Sequence, residues 1–140
     1  MSDLTLSVSK TINAPIESVF NAWLDPEILA KFMIPGEGVT VPLAESDARV
    51  GGSFKIMMVA GDREMPHTGE YIAIDPHSSL IFTWQSGHSV DGSTVSLNFS
   101  EVDGGTEVEL TQVKFLNEEA REDHRGGWTR ILDTLDSLLS

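Results

Sequence analysis

The sequence of 140 residues contains no cysteine. This absence excludes disulfide bonds, thiolate nucleophiles and sulfur-ligated metal sites, and it fits a reducing compartment. The chain also lacks any apolar stretch of about 18 residues, the length that a membrane-spanning helix requires. Its first residues show no basic flank followed by an apolar block, so they do not look like a signal peptide. We therefore expect a cytoplasmic protein that does not bind membranes.

Positive charge is scarce as well. Nine lysine and arginine residues stand against 22 aspartate and glutamate residues, which gives a formal net charge of −13. Binding to nucleic acid or anionic lipid depends on cationic side chains that release counterions, so we expect neither partner. The acidity favours solubility, and an acidic face for a basic protein partner is the alternative interpretation.

Catalytic and metal-binding signatures are missing too. There is no Gly-x-Ser-x-Gly elbow, P-loop or dinucleotide-binding fingerprint. The four histidines, His67, His77, His88 and His124, show no His-x-x-x-His spacing, so we expect no metal and no cofactor. These absences favour a binding protein over an enzyme. Acid–base catalysis stays open as an alternative for ionisable side chains that face a shared cavity.

The sequence does contain a regular series of short alternating segments. Residues 4–12 alternate apolar and polar side chains, which predicts a half-buried strand. Two short amphipathic helices are predicted next, one opening at Pro15 and one capped by Asp25 with Pro26 behind it. Further strands then follow, separated by turn residues. These turns lie at residues 61–64, 75–76, 91–92 and 103–105.

The C-terminal segment has the spacing of a long helix. Acidic residues crowd its start after the candidate cap Asn117, and apolar residues from Trp128 to Leu139 recur every three or four positions. We therefore predict one α+β domain over residues 1–140, in which a curved antiparallel sheet of six to seven strands wraps around this helix. Gly126 and Gly127 interrupt the helical pattern. They indicate either close packing or a kink, or room left for a ligand.

Several segments in this order resemble a known family. They are Ala14-Pro15, residues 19–23, Asp25-Pro26-Glu27, residues 47–54, Gly69-Glu70-Tyr71, residues 80–84, Gly105-Thr106 and residues 124–128. Together they are similar to the START-like (SRPBCC) superfamily, in the branch related to the C-terminal domain of the activator of the heat-shock-protein-90 ATPase. The resemblance implies the helix-grip fold, with a cavity between the long helix and the sheet.

The resemblance implies several functions. It leads us to expect a domain that binds a small apolar or amphipathic molecule in this cavity, as a monomer or homodimer. A co-chaperone-like protein-interaction domain is the first alternative, and a cyclase- or hydrolase-like enzyme is the second. The family often carries a Trp-Trp-Gly-Pro-like run after the second helix, whereas residues 32–35 here are Phe-Met-Ile-Pro. We therefore expect a more aliphatic cavity entrance.

The candidate pocket wall combines large apolar residues at inward positions with one helix glycine. Aromatic and methionine side chains suit an irregular apolar site, although each residue could also belong to an ordinary core. The candidate residues are Phe20, Trp23, Phe32, Met33, Phe54, Ile56, Met58, Tyr71, Phe82, Trp84, Leu97, Gly127, Trp128, Ile131 and Leu135.

Five residues are candidate polar anchors for the ligand: Asp47, Arg49, His67, Glu70 and His124. Asp47 and Arg49 stand two apart on a predicted strand and would share a face. They are interpreted either as a charged clamp at the cavity mouth or as a structural ion pair beside the glycine turn. His67 and His124 could be brought together by a strand and the opening of the long helix.

Overall fold

The structure, a computed structural model, describes residues 4–34, 36, 38–85, 93–115 and 117–139. Within these residues seven strands and three helices follow one another in the predicted order, with two short helices after the first strand and a long helix at the end. This order confirms the α+β class and the helix-grip fold. The elements are β1 (Thr5–Ile12), α1 (Ile16–Ala22), α2 (Pro26–Phe32), β2 (Val39–Ser46), β3 (Ser53–Ala60), β4 (Arg63–Asp75), β5 (Ser79–Thr83), β6 (Thr94–Val102), β7 (Gly105–Val113) and α3 (Glu118–Leu139).

The seven strands form one antiparallel sheet in the order β1-β7-β6-β5-β4-β3-β2. Strands β3 and β4 are joined by a tight turn, because Ala60 pairs directly with Arg63. The predicted four-residue loop is therefore too long, and Arg63 and Glu64 belong to β4. A second tight turn joins β6 to β7 at the predicted site, where Val102 pairs with Gly105. The predicted turn at Asp91-Gly92 lies outside the described residues.

Two predicted boundaries differ from the structure. Pro15 is the residue that precedes α1, because its ψ of 150° is extended and not helical. Asp47 and Arg49 lie in a turn after β2 and not on a strand, since the Arg49 amide donates to the Asp47 carbonyl 2.8 Å away. A side chain at Gly52 would collide with that carbonyl, so the turn requires a glycine at this position.

The predicted helix caps are present. The Asp25 carboxylate accepts a hydrogen bond from the Glu27 amide at 2.9 Å, with Pro26 as the first helical residue. The Asn117 side-chain oxygen accepts from the Ala120 amide at 2.8 Å. Each cap satisfies an amide that has no partner within its helix. In the described part of the chain, no helix combines the length and hydropathy that a membrane span needs.

Helix α3 is held to the sheet through its C-terminal half. Its inward face buries Trp128, Ile131, Leu132 and Leu135, and each such side chain contributes on the order of 1.5–3 kcal/mol. Polar contacts tie the same half to the first strand. The Lys10 ammonium lies 3.1 Å from the Asp133 carboxylate, and the Asn13 amide donates to Asp136 at 2.9 Å.

Helix α3 runs without interruption through both of its glycines. Gly126 faces solvent, and a Cβ atom added there would have no neighbour within 4 Å. Close packing against the sheet therefore does not explain Gly126. Gly127 is half-buried on the inward side of the helix.

We predict that Gly126→Ala stabilises the protein by about 0.5–1 kcal/mol, because alanine loses less backbone entropy in a helix and meets no obstacle here. Urea unfolding followed by circular dichroism measures the change. Gly104→Ala is the matched control. Gly104 also has open space around it but has a φ of 86°, so the same substitution should destabilise the fold. Equal effects at the two positions would contradict this explanation.

Candidate functional site

A partly open cavity of about 260 Å³ lies between α3 and one side of the sheet. The sheet contributes Met58 from β3, Met65 and His67 from β4, and Trp84, which follows β5. The helix contributes the rest of the wall: Asp123, His124, Gly127, Trp128 and Ile131. Five of these nine residues carry large apolar side chains, so the cavity is mainly hydrophobic with a polar end.

Local structure explains why these residues meet. Met65 and His67 stand two apart on β4, so their side chains lie on the same face of the sheet. Met58 pairs with Met65 across the β3–β4 ladder, which places it beside them. The helix residues recur at intervals of three and four and therefore share one face of α3.

Trp128 is fixed in the cavity wall by a buried chain of hydrogen bonds. Its indole nitrogen donates to the Gln112 side-chain oxygen at 2.7 Å, and the Gln112 amide nitrogen donates to the Ser93 hydroxyl at 2.9 Å. Ser93 in turn donates to the Val113 carbonyl at 3.1 Å. The Trp128 ring lies 4.9 Å from the Trp84 ring, measured between centroids. The two indoles thus form one continuous aromatic wall.

The two histidines of the cavity each hold a defined tautomer. Nδ1 of His67 lies 2.9 Å from the Met65 carbonyl, and Nδ1 of His124 lies 2.8 Å from the Ala120 carbonyl. A carbonyl oxygen only accepts hydrogen bonds, so both Nδ1 atoms carry the proton. In the neutral ring, Nε2 is then an acceptor. The rings are also packed, His67 against Trp84 at 5.0 Å and His124 against Phe115 at 5.3 Å.

One residue of the cavity wall, Trp84, has a polar group that is enclosed by protein atoms and does not face the cavity. The indole N–H of Trp84 is fully buried, and within the described residues it has no hydrogen-bond partner. A buried unpaired donor costs about 1–3 kcal/mol. The indole N–H of Trp23 is in the same state, but Trp23 does not line this cavity.

The structure brings together seven of the predicted site residues. Met58, Trp84, Gly127, Trp128 and Ile131 line the cavity, as do the two polar anchors His67 and His124. Sequence reasoning missed Met65 and Asp123. Met65 could have been found from the inward alternation of β4 if that strand had been predicted to begin at Arg63. Asp123 directly precedes His124 in the acidic first half of α3.

Ten predicted residues are buried but do not line this cavity. Aromatic rings interlock among them, for example Phe54 with Phe82 at 5.2 Å and Trp23 with Phe32 at 5.0 Å. The void between Trp23, Met33 and their neighbours measures only about 10 Å³, room for no more than one water molecule. The ten core residues are Phe20, Trp23, Phe32, Met33, Phe54, Ile56, Tyr71, Phe82, Leu97 and Leu135.

The remaining polar anchors lie elsewhere. Asp47 and Glu70 border an open depression on the polar outer face of the sheet. Arg49 pairs with Asp47 at 2.8 Å, and both side chains are largely exposed, so this ion pair contributes little to stability. None of the three lines the cavity beneath α3.

Residues 13–140 match the family described as activator of Hsp90 ATPase homolog 1-like protein. The chain belongs to this family. The match covers the segments in which the sequence resembles the START-like superfamily, and it confirms that resemblance. Family and fold together support a ligand-binding type of domain in general terms.

Solved structures with the same fold come from several bacteria. A protein from Chromobacterium violaceum is 27% identical, with a TM-score of 0.85 and 97% of each chain covered. The AHSA1-like protein from Aeromonas hydrophila is 26% identical, with a TM-score of 0.83 over 96% of this chain and 90% of its own. A protein from Rhizobium leguminosarum is 28% identical, with a TM-score of 0.81 over 98% and 94%. No curated protein matches the chain.

Tyr71 is a core residue with an altered acidity. Burial raises its pKa to about 12, a hydrogen bond with Ser46 lowers it in part, and the Asp47 carboxylate raises it further. The folded protein therefore keeps this phenol neutral at a pH where an unfolded chain ionises it. Below about pH 10 both states hold the proton. As the pH rises towards 12 the unfolded state alone loses it, so stability falls.

We predict that the tyrosinate absorbance of the native protein rises with a midpoint near pH 12, against about 10 in denaturant. Tyr71 is the chain's only tyrosine, so the signal reports this residue alone. Tyr71→Phe should lose less stability than the parent protein between about pH 10 and pH 12. A midpoint near 10 with the circular dichroism spectrum still native would contradict the prediction.

We predict that Gln112→Leu destabilises the protein by about 1–3 kcal/mol, because the Trp128 indole and Ser93 lose their buried partner. Chemical unfolding measures the change, and the tryptophan emission spectrum should shift with it. Gln85→Leu is the matched control, since Gln85 is exposed and its substitution should change stability by less than about 0.5 kcal/mol. Equal losses in the two variants would argue against the hydrogen-bond chain.

Proposed function

We propose that this protein binds a small, mainly apolar molecule in the cavity between α3 and the sheet. The observation that carries the proposal is the cavity of about 260 Å³ with five large apolar residues in its wall. Ligand pockets are typically concave, mostly apolar and furnished with a few polar groups, which describes this site.

The volume limits the size of the ligand. Sites for drug-sized molecules measure roughly 300–1,000 Å³, and an apolar cavity of about 150 Å³ can hold benzene. A cavity of about 260 Å³ lies between these values. The expected ligand is therefore a single substituted ring or a short acyl chain, and not a sterol or a long-chain lipid.

The wall chemistry supports an aromatic or branched ligand. Trp84 and Trp128 offer ring faces on which another ring can stack. Met58 and Met65 oppose each other on β3 and β4, and flexible thioether side chains adapt to ligands of related shape. Gly127 lines the cavity and has no side chain, and we expect a large side chain at this position to occupy part of the ligand volume.

We predict that Gly127→Leu abolishes ligand binding, whereas Gly126→Leu, the same substitution one residue away on the solvent side, retains it. Both variants gain helix propensity, so a difference between them reports the cavity and not the helix. The measurement is a thermal-shift screen of small aromatic compounds and short-chain acids, followed by tryptophan fluorescence titration of the hits. A hit that binds both variants equally would place its site elsewhere. Absence of any hit would contradict the proposed function.

A second candidate function is acid–base catalysis in the same cavity. The observation in its favour is that three ionisable residues, His67, Asp123 and His124, line one apolar space. Mass spectrometry of the bound compounds after incubation tests it. A change of mass that disappears in His67→Gln and His124→Gln, but not in His77→Gln, would support catalysis. Recovery of every ligand unchanged would leave binding as the function.

A further inference from the structure

The large apolar residues of the cavity wall are unequally accessible. Four of the five are at most 3% exposed: Met58, Trp84, Trp128 and Ile131. The fifth, Met65, is half-buried. Among these five residues, Met65 therefore offers the most side-chain surface to a molecule that enters the cavity. Its side chain is also a thioether, which mild oxidants convert to a sulfoxide.

Sulfur chemistry in this chain belongs to methionine alone. There is no cysteine, and the structure describes four of the five methionines. Met33 and Met58 are buried, at 1% and 3% exposure, so a dissolved oxidant has little access to them while the fold stays closed. Met57 and Met65 are half-buried. Of the four described methionines, these two are the ones that we expect an oxidant to modify first.

Met57 and Met65 lie on opposite faces of the sheet. Met57 pairs with Pro66 in the β3–β4 ladder, and Met65 pairs with Met58. Directly paired residues share a face, whereas neighbours along a strand alternate between faces. Met65 lines the cavity and Met57 does not. The same reaction can therefore occur at both residues, but only at Met65 would it change the cavity wall.

We propose that Met65 is a modification site for peroxides, and that its oxidation weakens the binding of apolar ligands in the cavity. With hydrogen peroxide, a lone pair of the thioether sulfur attacks one peroxide oxygen, and an S–O bond forms as the O–O bond breaks. The proton of the transferred oxygen passes to the departing hydroxide, which leaves as water. The sulfur loses two electrons and the peroxide gains them. This inference rests on the proposed function, and it adds a chemical control of that site.

The product changes what the cavity can hold. Oxidation turns a flexible apolar side chain into a polar one, whose sulfoxide oxygen accepts hydrogen bonds. In the empty cavity, water can donate to this oxygen. An apolar ligand seated against Met65 would displace that water without replacing its hydrogen bond, which costs affinity. We expect an apolar ligand to bind the oxidised protein about tenfold more weakly.

The first measurement maps the oxidation. The full chain is treated with increasing hydrogen peroxide, and mass spectrometry of its peptides gives the extent of oxidation at each methionine. Met57 and Met65 should be oxidised before Met33 and Met58. Saturating p-xylene, an apolar probe with a single ring, should slow oxidation at Met65 severalfold. It should leave the rate at Met57 unchanged, so Met57 is an internal control in the same molecules.

The second measurement tests binding. Tryptophan fluorescence titration should show that p-xylene binds the peroxide-treated protein about tenfold more weakly than the untreated protein. Met65→Leu keeps a similar volume and has no sulfur at this position, so after the same treatment it should keep its affinity. Met57→Leu is the matched control and should still lose about tenfold. Methionine sulfoxide reductase should restore the affinity of the treated parent protein.

The outcomes separate this inference from the proposed function. The inference is wrong if Met65 is oxidised no faster than Met58, if oxidation leaves the affinity for p-xylene unchanged, or if treated Met65→Leu loses as much affinity as the parent. Loss of the native circular dichroism spectrum along with binding would also overturn it, because unfolding would then explain the loss. In these cases the untreated cavity remains a binding site. If the untreated protein binds neither p-xylene nor any compound of the screen, both proposals fail together.

Discussion

The hydrogen bond from the Trp128 indole to Gln112 fixes the position of the long helix on the sheet. Apolar packing is non-directional and would allow α3 to slide or rotate, whereas a buried donor and acceptor have to meet in one geometry. The cost of separating them, about 1–3 kcal/mol, is a large part of the stability of an ordinary domain. The cavity wall includes helix residues on both sides of this contact, from Asp123 to Ile131, and Leu132 and Leu135 then enter the core.

The location of the cavity follows from where the apolar stripe of α3 begins. From Trp128 onward the inward face carries large side chains that fill the space above the sheet. Before Trp128 the same face holds Ala120, His124 and Gly127, which are too small or too polar to do so. Met58 and Met65 therefore have few helix partners above them. The fold is closed at one end of the helix and open at the other because of this change in side-chain size.

The fold could be predicted from the sequence because it depends on local signals. Alternation identified the strands, and the Asp25 and Asn117 caps marked two helix starts. The site was harder to predict. Ile56 and Met58 are both apolar and lie on the same face of β3, yet Ile56 packs in the core and Met58 lines the cavity. Which of the two borders the cavity depends on the elements that pack against β3, and no single-residue property encodes that. Gln112 was the missed signal, since an amide on the inward face of β7 needs a buried partner.

The adjacent residues Gly126 and Gly127 have the same helix propensity but different surroundings in α3. Both weaken α3 by about 1 kcal/mol relative to alanine, and nothing in the structure explains Gly126. Gly127 lowers the stability of α3 by a similar amount, but it also lines the cavity. The missing side chain at this position therefore has a structural consequence, whereas the one at Gly126 has none. The wall of this cavity combines large apolar side chains with two imidazoles, His67 and His124, which is the mixture of groups that the proposed binding site requires.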